Sequence, residues 1–240
     1  MANAGLAAAN DARWKNAKLL RLQEFDAAAA RLIAAKARYC AVEKKTGVPW
    51  FVIAVIHQRE SSQSFARSLA QGDPWDRVSV HVPKGRGPFA SWEEAAVDAL
   101  VNCAPYAATN RDWSVSGILT LLERYNGLGY FNRGLPSPYL WAGTDQYVAG
   151  KYVADGVFDA AVVDRQLGCA GLLKAMAARD GDVALGQAPA AERKIVAAGA
   201  ASAIAAGAAA LSAGSTAAMW FVILAAVVAA GWLAWRRLRR

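Results

Sequence analysis

The residue in this chain best fitted to acid chemistry is Glu60, because of what precedes it. Every side chain from Trp50 to Ile56 is apolar, so a helix over this run has no solvent face and belongs in the middle of a domain. Glu60 then falls at its far end. A carboxylate there meets the negative end of the helix dipole, and apolar walls strip its hydration; both effects raise its pKa. A carboxylic acid still protonated near neutral pH is the group that protonates the leaving oxygen when a glycosidic bond is cleaved. Glu60 is therefore the candidate general acid, and the competing reading is a solvated helix-end residue paired with Arg59. His57 lies one turn earlier, placed to pack against or hydrogen-bond the site. Cys40, Cys103 and Cys169 are widely spaced and form no redox or metal motif, so they read as small buried hydrophobes. With no ligand cluster, neither a metal nor another cofactor is expected.

The elements that must hold Glu60 follow from pattern and punctuation. Gly47 precedes the apolar run and Pro49 sits where a first-turn proline is tolerated, so the helix starts near Pro49. Upstream, Leu22, Phe25, Ala29, Leu32 and Ile33 recur at helical spacing, which predicts leading amphipathic helices over 11–45. Downstream, Gln71-Gly72-Asp73-Pro74 is turn chemistry, and Val78 to Val82 alternates and is β-branched before a Pro/Gly loop. That pattern predicts a small β-hairpin or irregular lobe beside the acid. Ser91 and Glu94 form a capping box for another helix, so Glu93 and Glu94 read as caps. Val115, Ile118, Leu119 and Leu122 predict a helix over 112–123 that delivers Tyr125, Asn126 and Gly127 at its end. Residues 137–156 are aromatic and turn-rich, and 162–178 read as the closing helix. The fold class expected is α+β, mainly α.

Arg59-Glu60-Ser61-Ser62 followed by Phe65 resembles the Glu-Ser segment of lytic transglycosylases and goose-type lysozymes, where the Glu closes a central helix. Arg124-Tyr125-Asn126-Gly127 resembles their Ala-Tyr-Asn-x-Gly segment, with Arg where the motif usually has Ala. A longer similarity, from about Thr46 to Lys174, is to endolysins of bacteriophages and prophages. Its marks are Gly72-Asp73-Pro74, Val80 to Arg86, Ser137 to Trp141 and Gly150 to Gly156. The resemblance implies a lysozyme-like domain with a central buried helix and a small β-lobe across the cleft, acting on bacterial peptidoglycan. It implies Glu60 as acid, Tyr125 near it, and Asn126 on the sugar, with Ser61 beside the acid. The β-lobe would turn Asp73, Asp76, Ser79 and His81 toward Glu60. Asp73 and Ser79 follow in an order similar to the Glu, Asp, Thr of phage-type lysozymes, where the first gap is shorter. Asp73 thus becomes the second catalytic candidate; its competing role is an Asx-type turn before Pro74, and that of His81 is a packed or surface residue. Among the tryptophans, Trp141 is the first choice for a saccharide platform. The activity implied is that of a muramidase cleaving β-1,4 bonds. The alternatives are a lytic transglycosylase giving 1,6-anhydro products and, from another class, a non-enzymatic wall-binding or holin-like membrane protein.

Net charge is +8, yet residues 195–240 hold four arginines and no acid, which leaves 1–194 with 23 basic against 19 acidic residues, or +4. A mildly basic domain suits an anionic wall polymer. No basic stripe or nucleic-acid motif is present, so nucleic acid is not an expected partner. The division expected is a catalytic domain over 1–186, a linker over 187–194, membrane segments over 195–235 and a basic tail over 236–240. Ala217–Trp235 is long and apolar enough to span a bilayer; Ile195–Gly214 is a weaker second span, or else an Ala-rich linker or surface helix. The arginines at the end hold the C-terminus in the cytoplasm. A two-span hairpin then keeps the catalytic domain on the cytoplasmic side of the membrane until lysis.

Overall fold

The computed structural model describes residues 2–186 except position 71. The expectations for 187–194, 195–235 and 236–240 concern residues outside that range. Among the described residues no helix is long and apolar enough to cross a membrane.

The chain runs through α1 (Ala2–Asn16), α2 (Leu22–Ala34), α3 (Lys36–Thr46), α4 (Trp50–Ser61), α5 (Trp92–Asn102), a short 3-10 turn, α6 (Val115–Asn126), α7 (Gly129–Asn132), α8 (Pro138–Trp141), β1 (Lys151–Ala154), β2 (Val157–Asp159) and α9 (Cys169–Arg179). The described part is mainly helical. The leading region holds three helices, and the first begins before residue 11. Ala35 both ends α2 and starts α3, at φ −91° and ψ 7°. Gly47 closes α3 at φ 72°, a left-handed position that glycine occupies without strain.

α4 is buried throughout its apolar run, with Trp50 through His57 all inside. It packs against α2, α3 and α9, so its apolar stretch meets a neighbour on each side as an all-hydrophobic helix requires. On α2, Phe25, Ala29 and Leu32 are fully buried while Leu22 stays exposed. α2 approaches α9 closely because residue 171 is glycine: a Cβ there would meet the Phe25 ring at 2.3 Å. Ser91 caps α5 by accepting from the Glu94 N–H at 3.2 Å, and the Glu94 carboxylate accepts in return from the N–H of Ala90.

Two elements lie elsewhere than the sequence pattern places them. Val78 to Val82 forms no strand; Val78, Val80 and Val82 are exposed, and the loop closes on itself through Ser79 N–H to Arg86 O and Gly85 N–H to Ser79 O. β-branched alternation supplies a surface that fits a sheet, but no second strand is there to pair with it. The sheet is instead the antiparallel hairpin β1–β2, turned at Asp155-Gly156, with Tyr152 opposite Phe158. The closing helix starts at Cys169, because 162–168 is used as an irregular segment that carries Asp164 to the site.

Candidate active site

Glu60 sits in the last turn of α4, which ends at Ser62 in a left-handed conformation, φ 52°. Its carboxyl opens into a cleft of about 480 Å³ whose walls come from the ends of α4 and α6, from α8 and from the β1–β2 hairpin. Desolvation raises the Glu60 pKa to about 7, against the opposing pull of Tyr139 and Arg59. The Tyr139 hydroxyl donates to Glu60 Oε1 at 2.8 Å. Burial holds the phenols of Tyr139 and Tyr125 far above their ordinary pKa, so both remain neutral donors.

An arginine next to an acid ordinarily drives it to ionise. Here Arg59 is engaged elsewhere: its guanidinium meets Asp164 Oδ2 at 3.0 Å, with side chains only 5% and 3% exposed. Asp164 also receives Lys151 at 3.5 Å and the Gln166 N–H at 2.9 Å. Its own pKa is lowered, burial being outweighed by Arg59, the Gln166 N–H and Lys151. Arg59 is thus neutralised as a pair, and desolvation decides the state of Glu60. Chemically, the cleft presents one carboxylic acid, Glu60, that is half protonated near neutral pH.

The residues singled out from sequence separate into two groups. Tyr125 and Asn126 line the same cleft as Glu60. The Tyr125 hydroxyl donates to Leu69 O at 3.2 Å, and Asn126 Nδ2 donates to Ser137 Oγ at 3.3 Å, which leaves the Asn126 amide oxygen for a ligand. Trp141 does not line the cleft: it is fully buried in the core, where α8 packs against α9, so it cannot stack on a sugar. Ser61 donates its hydroxyl back to His57 O at 3.2 Å, satisfying a helix-end carbonyl, and lies outside the cleft lining.

Asp73, Ser79 and His81 gather in a cluster of their own. The Asp73 carboxylate accepts from the N–H groups of Val80 and His81, each at 2.9 Å, and from His81 Nδ1 at 2.6 Å. Those bonds, led by the His81 N–H, depress its pKa to about 2. Ser79 donates to Pro83 O and accepts from the Arg86 N–H, both at 2.9 Å. Asp73 and Ser79 therefore fix the loop in the space where a β-lobe was expected, and neither they nor the exposed His81 is among the cleft-lining residues; Asp76 is absent from that lining as well. Two backbone amides occupy Asp73 Oδ2 and the His81 ring takes Oδ1, which puts the carboxylate to work in the 73–86 loop, through residues seven and eight positions on and not through an Asx-type turn before Pro74.

His57 is buried among Tyr39, Phe65 and Trp92. It accepts at Nδ1 from the Tyr39 hydroxyl at 2.9 Å and donates from Nε2 to Ser64 O at 3.1 Å. Burial lowers its pKa to about 4, so a neutral ring pins the segment that follows Glu60. All three cysteines are free, and Cys103 and Cys169 are buried.

Sequence reasoning missed the partner of Glu60. Tyr139 is 79 residues away, and residues 137–156 suit packing and stacking equally well by composition. It also missed the hairpin wall, although Asp155-Gly156 is a strong two-residue turn signal. No protein-family model matches the chain, and no curated protein and no solved structure matches it either.

Proposed function

We propose that the protein is a peptidoglycan-cleaving glycosidase of the endolysin type, a muramidase in which Glu60 protonates the oxygen of a β-1,4 glycosidic bond. The observation that carries this reading is the state of Glu60: desolvated, held near a pKa of 7 and hydrogen-bonded by Tyr139 in an open cleft. An acid with its pKa near working pH is both protonated often enough and strong enough to deliver the proton. The resemblance of the Glu60 and Tyr125-Asn126 segments to peptidoglycan-cleaving enzymes supports the substrate, and the apolar stretch 217–235 supports an accompanying proposal of membrane anchorage.

A lytic transglycosylase is the second reading, favoured by one feature. Besides Glu60, the carboxylates lining the cleft are Asp164, locked to Arg59, and Asp155, exposed at the hairpin turn. A single acid that protonates the leaving group and then takes the proton of the sugar's own hydroxyl needs no second carboxylate, whereas an inverting hydrolase needs one about 6.5–9.5 Å from the acid. Mass spectrometry of muropeptides released from purified sacculi separates the two: reducing ends support the muramidase, and 1,6-anhydro ends support the transglycosylase. Release of neither overturns both readings.

A further inference from the structure

Asp164 is met by more positive charge than one carboxylate balances. It already has the Arg59 guanidinium at 3.0 Å and the Gln166 N–H at 2.9 Å, yet Lys151 also comes within 3.5 Å. One acid and two cations leave this trio with a surplus positive charge. The Arg59 and Asp164 side chains are buried, whereas that of Lys151 is 37% exposed and lines the cleft. The surplus therefore sits where a ligand can reach it. A partly exposed ion pair adds little to stability, and two cations around one acid repel each other, so holding the fold together is a poor account of Lys151.

The hairpin fixes Lys151 on both sides. The Gly150 N–H donates to Val162 O at 2.9 Å, and the Tyr152 N–H donates to the Tyr130 hydroxyl at 3.0 Å. Arg133 Nε in turn donates to the Tyr152 hydroxyl at 2.9 Å. Asp159 lies directly across the hairpin from Lys151, where an opposite charge is the ordinary partner. Its carboxylate instead accepts from the Ala161 N–H at 2.8 Å, and the ammonium turns to Asp164 in the cleft. The other charged residues of the cleft lining are Glu60 and Asp155. Glu60 is half protonated near neutral pH, and Asp155 lies at the hairpin tip, roughly 13 Å further along the strand. The base of the hairpin is thus the positive end of the cleft.

Peptidoglycan brings a carboxylate to such a site. Its muramic acid bears a lactyl ether whose carboxyl is either free or amide-linked to a peptide with carboxylates of its own, whereas a neutral β-1,4 glycan has none. We propose that Lys151 forms a carboxylate subsite in the Glu60 cleft and makes it select glycans with an acidic substituent over neutral ones. This deepens the glycosidase reading and takes its substrate from it.

The test is isothermal titration calorimetry of the full-length protein, Lys151→Met and Lys151→Arg with three ligands. They are the disaccharide of N-acetylglucosamine and N-acetylmuramic acid, its lactyl methyl ester, and the same disaccharide amide-linked to alanyl-glutamate. A muramidase releases this disaccharide and does not cut it, so binding is read without turnover; cleavage of sacculi is assayed in parallel. The wild type is expected to bind an acidic ligand on the order of tenfold more tightly than the ester. Lys151→Met keeps the length but not the charge and should bind all three as it binds the ester, while Lys151→Arg keeps the preference. Preference for the free acid assigns the lactyl carboxylate; preference for the dipeptide form alone assigns the peptide. The subsite is overturned if the wild type binds the ligands equally or not at all, or if the preference survives in Lys151→Met. Equal loss of affinity for all three ligands in Lys151→Met, with a lowered melting temperature, overturns it as well. A wild type that discriminates but leaves sacculi intact sinks the muramidase reading and keeps the subsite; one that cleaves sacculi without discriminating does the reverse.

Discussion

The end of α4 and the loop after it treat two carboxylates, Glu60 and Asp73, in opposite ways. At Glu60 the protein removes water and supplies one phenolic hydroxyl, and the pKa rises to about 7. At Asp73 it supplies two backbone N–H groups and an imidazole, and the pKa falls to about 2. One carboxyl is left under-solvated and ready to exchange a proton; the other is satisfied and charged at neutral pH. Proton-transfer chemistry uses the first kind of environment, and loop closure uses the second. The comparison also says where stability is given up. Holding Glu60 near pKa 7 disfavours the folded state at neutral pH, whereas the bonds to Asp73 favour it.

The largest effect that sharpens this contrast is expected from Glu60→Gln. Loss of the proton donor should lower turnover of peptidoglycan by about 10²- to 10⁴-fold, read as loss of clearing in a zymogram. Stability should move the other way. The folded pKa of Glu60 lies above its unfolded value of 4.5, so its contribution is most favourable below pH 4.5 and is lost as pH rises from 4.5 to about 7. Replacing it with an uncharged amide relieves on the order of 3 kcal/mol at most at pH 8. Retained activity, or a melting temperature that falls at pH 8, breaks the contrast.

Next is Tyr139→Phe, which removes the donor to Glu60 Oε1 while keeping the ring. Because that hydroxyl favours the ionised form, its loss should raise the Glu60 pKa further. The alkaline limb of the pH–rate profile, where the acid form is lost, should then move up by on the order of one pH unit. A limb that stays in place would mean that Tyr139 does not govern the acid. Trp141→Phe is expected to act on the fold alone. It shrinks a fully buried core side chain and should lower the melting temperature, while the KM for glycan stays at the wild-type value in steady-state kinetics. A rise in KM without loss of stability would return Trp141 to the sugar.

What was legible in the sequence was local. The unbroken apolar run from Trp50 to Ile56 leaves no alternative to a buried helix, and the Ser91–Glu94 and Leu22–Leu32 patterns are each contained within one element. Tyr125 and Asn126 could be placed because they end a helix with a clear stripe, Ile118, Leu119 and Leu122. What stayed hidden depends on partners distant in the chain. Nothing near Arg59 announces that Asp164, 105 residues later, neutralises it. Nothing near Tyr139 announces Glu60. The valines from 78 to 82 show the opposite error, a strand-like pattern with no pairing strand, while the Asp155-Gly156 turn gave a usable hairpin signal inside a segment read only as aromatic.

Asp73→Asn gives the smallest expected effect on activity and the clearest on the loop. Asn keeps the shape but loses the charge that holds the His81 ring and both backbone amides, so the loop from Asp73 to Arg86 loosens. The folded pKa of Asp73 lies below its unfolded value of 3.8. Its contribution to stability is therefore present above pH 3.8 and is lost as pH falls from 3.8 to about 2. The variant should melt at a lower temperature than wild type at neutral pH, and the difference should shrink as the solution approaches pH 2, where the wild-type carboxylate is itself protonated. Turnover should remain within about one order of magnitude of wild type, less than the loss that removal of a general acid or base produces. Differential scanning calorimetry from pH 2 to 7, with muropeptide release assayed near pH 6, reads both. If turnover collapses while melting is unchanged across that range, Asp73 belongs to the chemistry after all and the two carboxylates are partners rather than opposites.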